Sequence, residues 1–190
     1  MSGRWAMTPE AAAEDFWDWS LEVYANPEVK GALLTLQDRH HLNVNLILWC
    51  IWAARRGWQF TPEQVHDMTN AVDQFSRYGI ERLREVRRYL TSPKPGFDRQ
   101  ELESLRQDLL MAELKGERMT QTRLAHLTVE RGGHPAPKSP DDMEEAARIH
   151  FANVGPSLEK PMLLADSHGS KVLGEMFDRL LALTASEEPA

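Results

Sequence analysis

Apolar side chains recur at helical spacing along nearly the whole chain, and no stretch alternates as a strand does. Thr8-Pro9-Glu10 is a start signal, a capping Thr followed by Pro at the first helical position; it predicts a helix to Asn26, ended by Pro27. A second helix is expected over Pro27 to Arg39, with Val29, Leu33 and Leu36 on one face. Asn43 caps a third, which closes at Arg55-Arg56-Gly57. Thr61-Pro62-Glu63-Gln64 reads as a capping box and opens a fourth helix to about Tyr78. Gly79 is read as separating it from a fifth, Ile80 to Leu90. Further on, Leu102, Leu105 and Leu109 give helical periodicity from Phe97 to Lys115. Gly116 is expected to end that helix, and Met119 to Glu130 to add a short one. Ser139-Pro140-Asp141-Asp142 opens another to about Asn153, stopped by Gly155-Pro156. A last helix runs from Ser167 to Leu183. The fold class expected is all-α, a compact multi-helix bundle with a C-terminal helical extension.

The third helix is distinctive. Leu46 to Trp52 leave it no polar face, which predicts a buried central helix. Asn45, Trp49, Trp52 and Arg56 align on one side and could floor a ligand pocket, though buried aromatics usually fill a core. Just before it, Gln37-Asp38-Arg39-His40-His41-Leu42-Asn43 crowds hydrogen-bonding side chains between two apolar helices. That turn is either a polar site or a set of helix caps. In the first helix Trp17, Leu21 and Tyr24 share a face, while Trp19 and Val23 lie on another. One small core cannot easily satisfy both, so either one face meets the C-terminal arm or a second subunit, or core packing alone accounts for the two.

All six tryptophans fall within the first 58 residues. With Pro/Gly breaks at Ser92–Gly96 and at 132–140, this suggests a Trp-rich helical core over 8–90 and a helical arm over 96–190 packed back on it. A chain of 190 residues buries about 70% of its unfolded surface and needs no disulfide or metal staple. The 22 Lys and Arg against 29 Asp and Glu give a net charge of -7, which disfavours nucleic acid and anionic membrane. The longest nearly apolar run, Val44 to Ala54, is too short to span a bilayer, and Met1 to Pro9 lacks an apolar signal region, so a cytoplasmic location is expected. Cys50 sits in that apolar run and reads as an inert core thiol.

Catalytic signatures are weak. His41, His66, Asp67 and Asp73 follow the His…His-Asp…Asp order of metal-dependent phosphohydrolases of the HD type, but no His-x-x-x-His pair fixes ligand geometry, and no metal is assigned. Asp166-Ser167-His168-Gly169-Ser170 holds triad residue types side by side, where they seldom converge. Arg77, Arg82, Arg84, Arg87 and Arg88 form a basic cluster that could bind an acidic partner or phosphate, but the expectation is a solvated face paired with Glu81 and Glu85. Catalytic residues and cofactor stay open.

Phe16-Trp17…Ser20…Tyr24, Leu36-Gln37-Asp38 and Val44-Asn45-Leu46-Ile47-Leu48-Trp49-Cys50-Ile51-Trp52 follow one another in an ordered combination. Over about residues 14–115 it resembles a proteobacterial family of uncharacterised proteins, domain of unknown function 2390. The resemblance implies a bacterial cytoplasmic protein and supplies no activity. The function expected is that of a regulatory or adaptor protein acting by protein–protein interaction, with a protein partner or as a homo-oligomer. The alternative is a small helical enzyme or ligand-binding protein, with or without a metal, with its site near the Gln37–Asn45 turn. Candidate binding residues are Gln37, Asp38, His41, Asn45, Trp49, Trp17 and Trp19.

Overall fold

A computed structural model describes residues 7–132, 139–154 and 167–185, with side chains from 171 onward in the last segment. Trp5, the Gly133–Pro137 run, the Gly155-Pro156 stop and the side chains of Asp166 to Ser170 lie outside the described residues. Helices are α1 Pro9–Ala25, α2 Pro27–His40, α3 Val44–Arg55, α4 Pro62–Phe75, α5 Glu81–Tyr89, α6 Arg99–Arg131, α7 Pro140–Asn153 and α8 Ser167–Ala185. The described residues contain no strand, and the fold is an all-α bundle.

Local chemistry explains where most helices begin. Thr8 Oγ1 accepts from the Ala11 N–H, and Asn26 closes α1 while its side chain accepts from the Glu28 N–H of α2. Thr61 with Gln64, and Ser139 with Asp142, form reciprocal capping boxes. Asp98 accepts from both Gln100 and Glu101 at the start of α6.

Two glycines do not act as breaks. Between α4 and α5 the chain continues through a π-helical turn, Ser76–Ile80, that carries Gly79 without interruption. Gly116 lies inside α6, which runs unbroken for 33 residues. Its role is contact rather than termination: a Cβ there would stand 2.9 Å from Ile80 Cγ1.

The core sits around α3, ten of whose residues are buried. α1 packs mainly on α6, α7 lies along α3, and α8 rests on α2 and α7. The core cluster continues from the Trp-rich segment into Leu124, Ala125 and Leu127 of α6, Ala146 and Ala147 of α7, and Leu173, Phe177, Leu180 and Leu181 of α8. Arg55 ties the last helix to the centre: it donates to the Thr184 carbonyl at 2.6 Å, where α8 leaves acceptors unused. Among the described residues no helix is long and apolar enough to cross a membrane.

Candidate functional site

One cleft of about 510 Å³ opens between α1, α2, α5 and α6, with the first turns of α3 at its base. The volume is that of an ordinary small-ligand site. Helical spacing on α1 turns Trp17, Ser20, Leu21 and Tyr24 toward it, and Lys30, Leu34 and Gln37 enter from α2. Val44, Asn45 and Leu48 come from α3. Arg84, Arg87 and Arg88 of α5 face Leu110, Glu113, Leu114, Glu117 and Gln121 of α6.

The floor is a continuous polar chain. Asn45 donates to Glu117 through Nδ2 and accepts from Gln121 Nε2 at 3.0 Å. Glu117 also accepts from Arg84 Nη2 at 2.7 Å, and Arg87 forks onto Glu113, with Nη2 to Oε2 at 3.0 Å. Glu113 is buried, and such a charge is tolerated only when its partners are held in place. Burial pushes the Glu117 carboxyl above the usual glutamate range, against the pull of the Asn45 bond and the Arg84 charge. Burial likewise raises the Tyr24 phenol.

Two buried atoms on this floor are unsatisfied. Ser20 Oγ and Gln121 Oε1 have no hydrogen-bond partner among the described residues, although each residue is only 4% exposed. Buried polar atoms are normally paired, so these are points where water or a polar group of a bound partner can complete a bond. Above them the rim is apolar and open: Leu21 is 53% and Leu114 45% exposed.

The turn expected to be either a site or a set of caps is divided between the two. Gln37 and Asn45 line the cleft. His41 takes the left-handed conformation (φ 55°) that ends α2, and it is exposed. Asn43 caps α3 by accepting from the Asn45 N–H, and reaches Ser76 Oγ at 2.9 Å. Asp38 stands beside the cleft, paired with Arg88 at 2.7 Å; that guanidinium holds its carboxyl below the usual range.

The tryptophans separate by face. Trp17 lines the cleft with Arg118 over its ring, while Trp19 stacks on Phe16 in the core. The stripe drawn along α3 reaches the cleft only at Asn45. Trp49 is fully buried between Phe60 and His150, its Nε1 donating to Thr128 Oγ1 at 2.8 Å. Trp52 and Arg56 both turn to Asp15.

The metal order does not converge. His41 and His66 are exposed, Asp67 pairs with Arg131 and Asp73 with Arg77. Among the described residues no three His, Cys, Asp or Glu side chains gather as a metal site. Of the arginines expected to pair with Glu81 and Glu85, Arg82 reaches Glu85; Arg77 pairs with Asp73, and Arg84, Arg87 and Arg88 reach across to α6 and α2.

Sequence reasoning missed Glu113, Glu117 and Gln121. A signal was present, since the three recur every four residues and so form a polar stripe along one helix. Comparison with known proteins gives a family model described as "Protein of unknown function (DUF2390)" matching residues 15–124. That segment includes every residue lining the cleft. No curated protein and no solved structure matches the chain.

Proposed function

The chain belongs to the DUF2390 family, and from that premise we propose that it is a regulatory or adaptor protein of the cytoplasm that seats part of a protein partner in the α1/α2/α5/α6 cleft. The observation that carries this is the exposed apolar rim of Leu21 and Leu114 over a floor already fixed by ion pairs. Exposed apolar side chains are what a partner buries at the centre of an interface, where most of the affinity is concentrated. A rigid floor also lowers the ordering cost of binding. Nucleic acid is a poorer partner, because Arg84, Arg87 and Arg88 are already held by carboxylates and the chain is acidic overall.

The test compares wild type with Leu21→Asp and Leu114→Asp as baits in lysate of the cells that encode the protein. Both positions are exposed, so circular dichroism should be unchanged. The proposal expects a stoichiometric polypeptide that wild type retains and both variants lose. If both variants retain the same proteins as wild type, the cleft is not the docking surface.

A second reading is a small helical enzyme or ligand-binding protein using the Gln37–Asn45 turn. It is favoured by one feature, the raised pKa of Glu117 beside Asn45, since perturbed carboxyls cluster at functional sites. Native mass spectrometry distinguishes the two: a small-molecule adduct without a bound polypeptide supports the second.

A further inference from the structure

Once its ion pairs are counted, the cleft carries one unneutralised cation among the described residues. Lys30, Arg84, Arg87 and Arg88 line it, and Glu117, Glu113 and Asp38 pair with the three arginines. The three arginines are spoken for, but Lys30 makes no ion pair with any described residue and lies 5.6 Å from the centre of the Tyr24 ring. One ammonium at the mouth suits one anionic group. On the floor, Gln121 Oε1 can accept from an N–H or O–H donor, the backbone N–H being the one every polypeptide partner offers, and Ser20 Oγ can donate or accept. Between these polar points the wall is Trp17, Leu21, Leu34 and Leu114.

A single amino-acid residue supplies an N–H, an apolar side chain and a carboxylate together only at the end of a polypeptide. A residue within a chain has the first two, and an internal Asp or Glu has its charge in place of the apolar group. We infer that the cleft captures the C-terminal residue of a partner polypeptide, an apolar one, with its carboxylate at Lys30, its side chain against the Trp17–Leu114 wall and an N–H toward Gln121. This rests on the adaptor reading and names what the partner presents. Capture of terminal carboxylates is an established mode of peptide recognition.

The test passes two pools of short peptides, randomised at the last three positions, over the immobilised full chain. One pool ends in free carboxylate and the other in carboxamide. A third sample holds N-acetylated single amino acids. Retention of the acid pool about tenfold or more above the amide pool is expected, the size of one charge-assisted hydrogen bond, with apolar last residues enriched. Lys30→Glu should abolish the preference, and Ser20→Ala should weaken retention without altering the fold. Lys94→Glu, at a lysine over the Tyr89 ring outside the cleft, should change nothing. Equal retention of the two pools, or retention of neither, overturns the inference. So does binding of N-acetyl amino acids as tight as that of peptides, which would make the ligand a small molecule. If both pools behave alike while Leu21→Asp still loses a lysate partner, the C-terminal inference falls and the adaptor reading stands. If Leu21→Asp and Leu114→Asp also lose nothing, both fall.

Discussion

Gln121 Nε2 donates to Asn45 Oδ1 at 3.0 Å, joining α6 to the first turn of α3 across 76 residues of chain. The bond leaves Gln121 Oε1 without a partner and aligns Asn45 Nδ2 on Glu117. One amide pair thus positions both the fixed and the unsatisfied parts of the cleft floor. Gln121→Leu should therefore leave Asn45 Oδ1 short of a donor, with a stability loss of about 1–3 kcal/mol. Urea unfolding measures it, and a loss below about half a kcal/mol would mean the pair does not organise the floor.

Thr128 is the acceptor for the buried Trp49 indole. Thr128→Val keeps the shape and strands that N–H among apolar groups. The expected cost is about 1–3 kcal/mol, seen as a lower urea midpoint at unchanged slope. Since neither residue lines the cleft, ligand retention should be unchanged.

Two helical glycines should respond to alanine with opposite signs. A Cβ at Gly31 in α2 meets nothing within 4 Å, so Gly31→Ala should stabilise by about 0.4–1 kcal/mol. At Gly116 the same methyl runs into Ile80 Cγ1, and overpacking of about 1–3 kcal/mol should outweigh the helix-propensity gain of about 1 kcal/mol. Thermal unfolding of the two variants side by side decides it. Stabilisation at both positions would mean that Ile80 yields freely.

The raised pKa of Glu117 gives stability a signed pH dependence. The folded chain binds this proton more tightly than the unfolded chain does. Between the ordinary glutamate value and the raised one, the folded state therefore carries more bound protons, and stability falls as pH increases through that interval. Glu117→Gln removes this contribution, so the difference in melting temperature between variant and wild type should shift in the variant's favour with rising pH, then level off. A difference that is flat from about pH 4 to about pH 7 would contradict the raised value. Asp38, held low by Arg88, acts in the opposite direction: its contribution is present above the ordinary aspartate pKa and lost as pH falls below it.

The Leu21→Asp and Leu114→Asp variants should separate binding from stability. Both side chains are about half exposed, so each change is expected to cost less than about 1 kcal/mol while partner retention is lost. A large drop in melting temperature would instead assign the two leucines to the core.

The sequence by itself determined the helices and most of their boundaries, because caps act over three or four residues. Thr8, Asn26, Asn43, Thr61 and Ser139 each bond a backbone N–H within their own first turn, with no help from the rest of the fold. The apolar run of α3 likewise announced a central buried helix. The face of Trp17, Leu21 and Tyr24 was legible as one surface, since helical geometry alone places them together. Tertiary structure alone decided what that face looks onto. Gly116 lies inside α6 instead of ending it, and the space it leaves is taken by Ile80 from the Ser76–Ile80 turn. Arg84 and Arg87 pair with Glu117 and Glu113 rather than with their own neighbours because α6 brings a half-buried and a buried carboxylate within reach, and such carboxylates need fixed partners more than exposed ones do. The cleft is built of contacts between residues far apart in the chain, and no local pattern specifies which helices will meet.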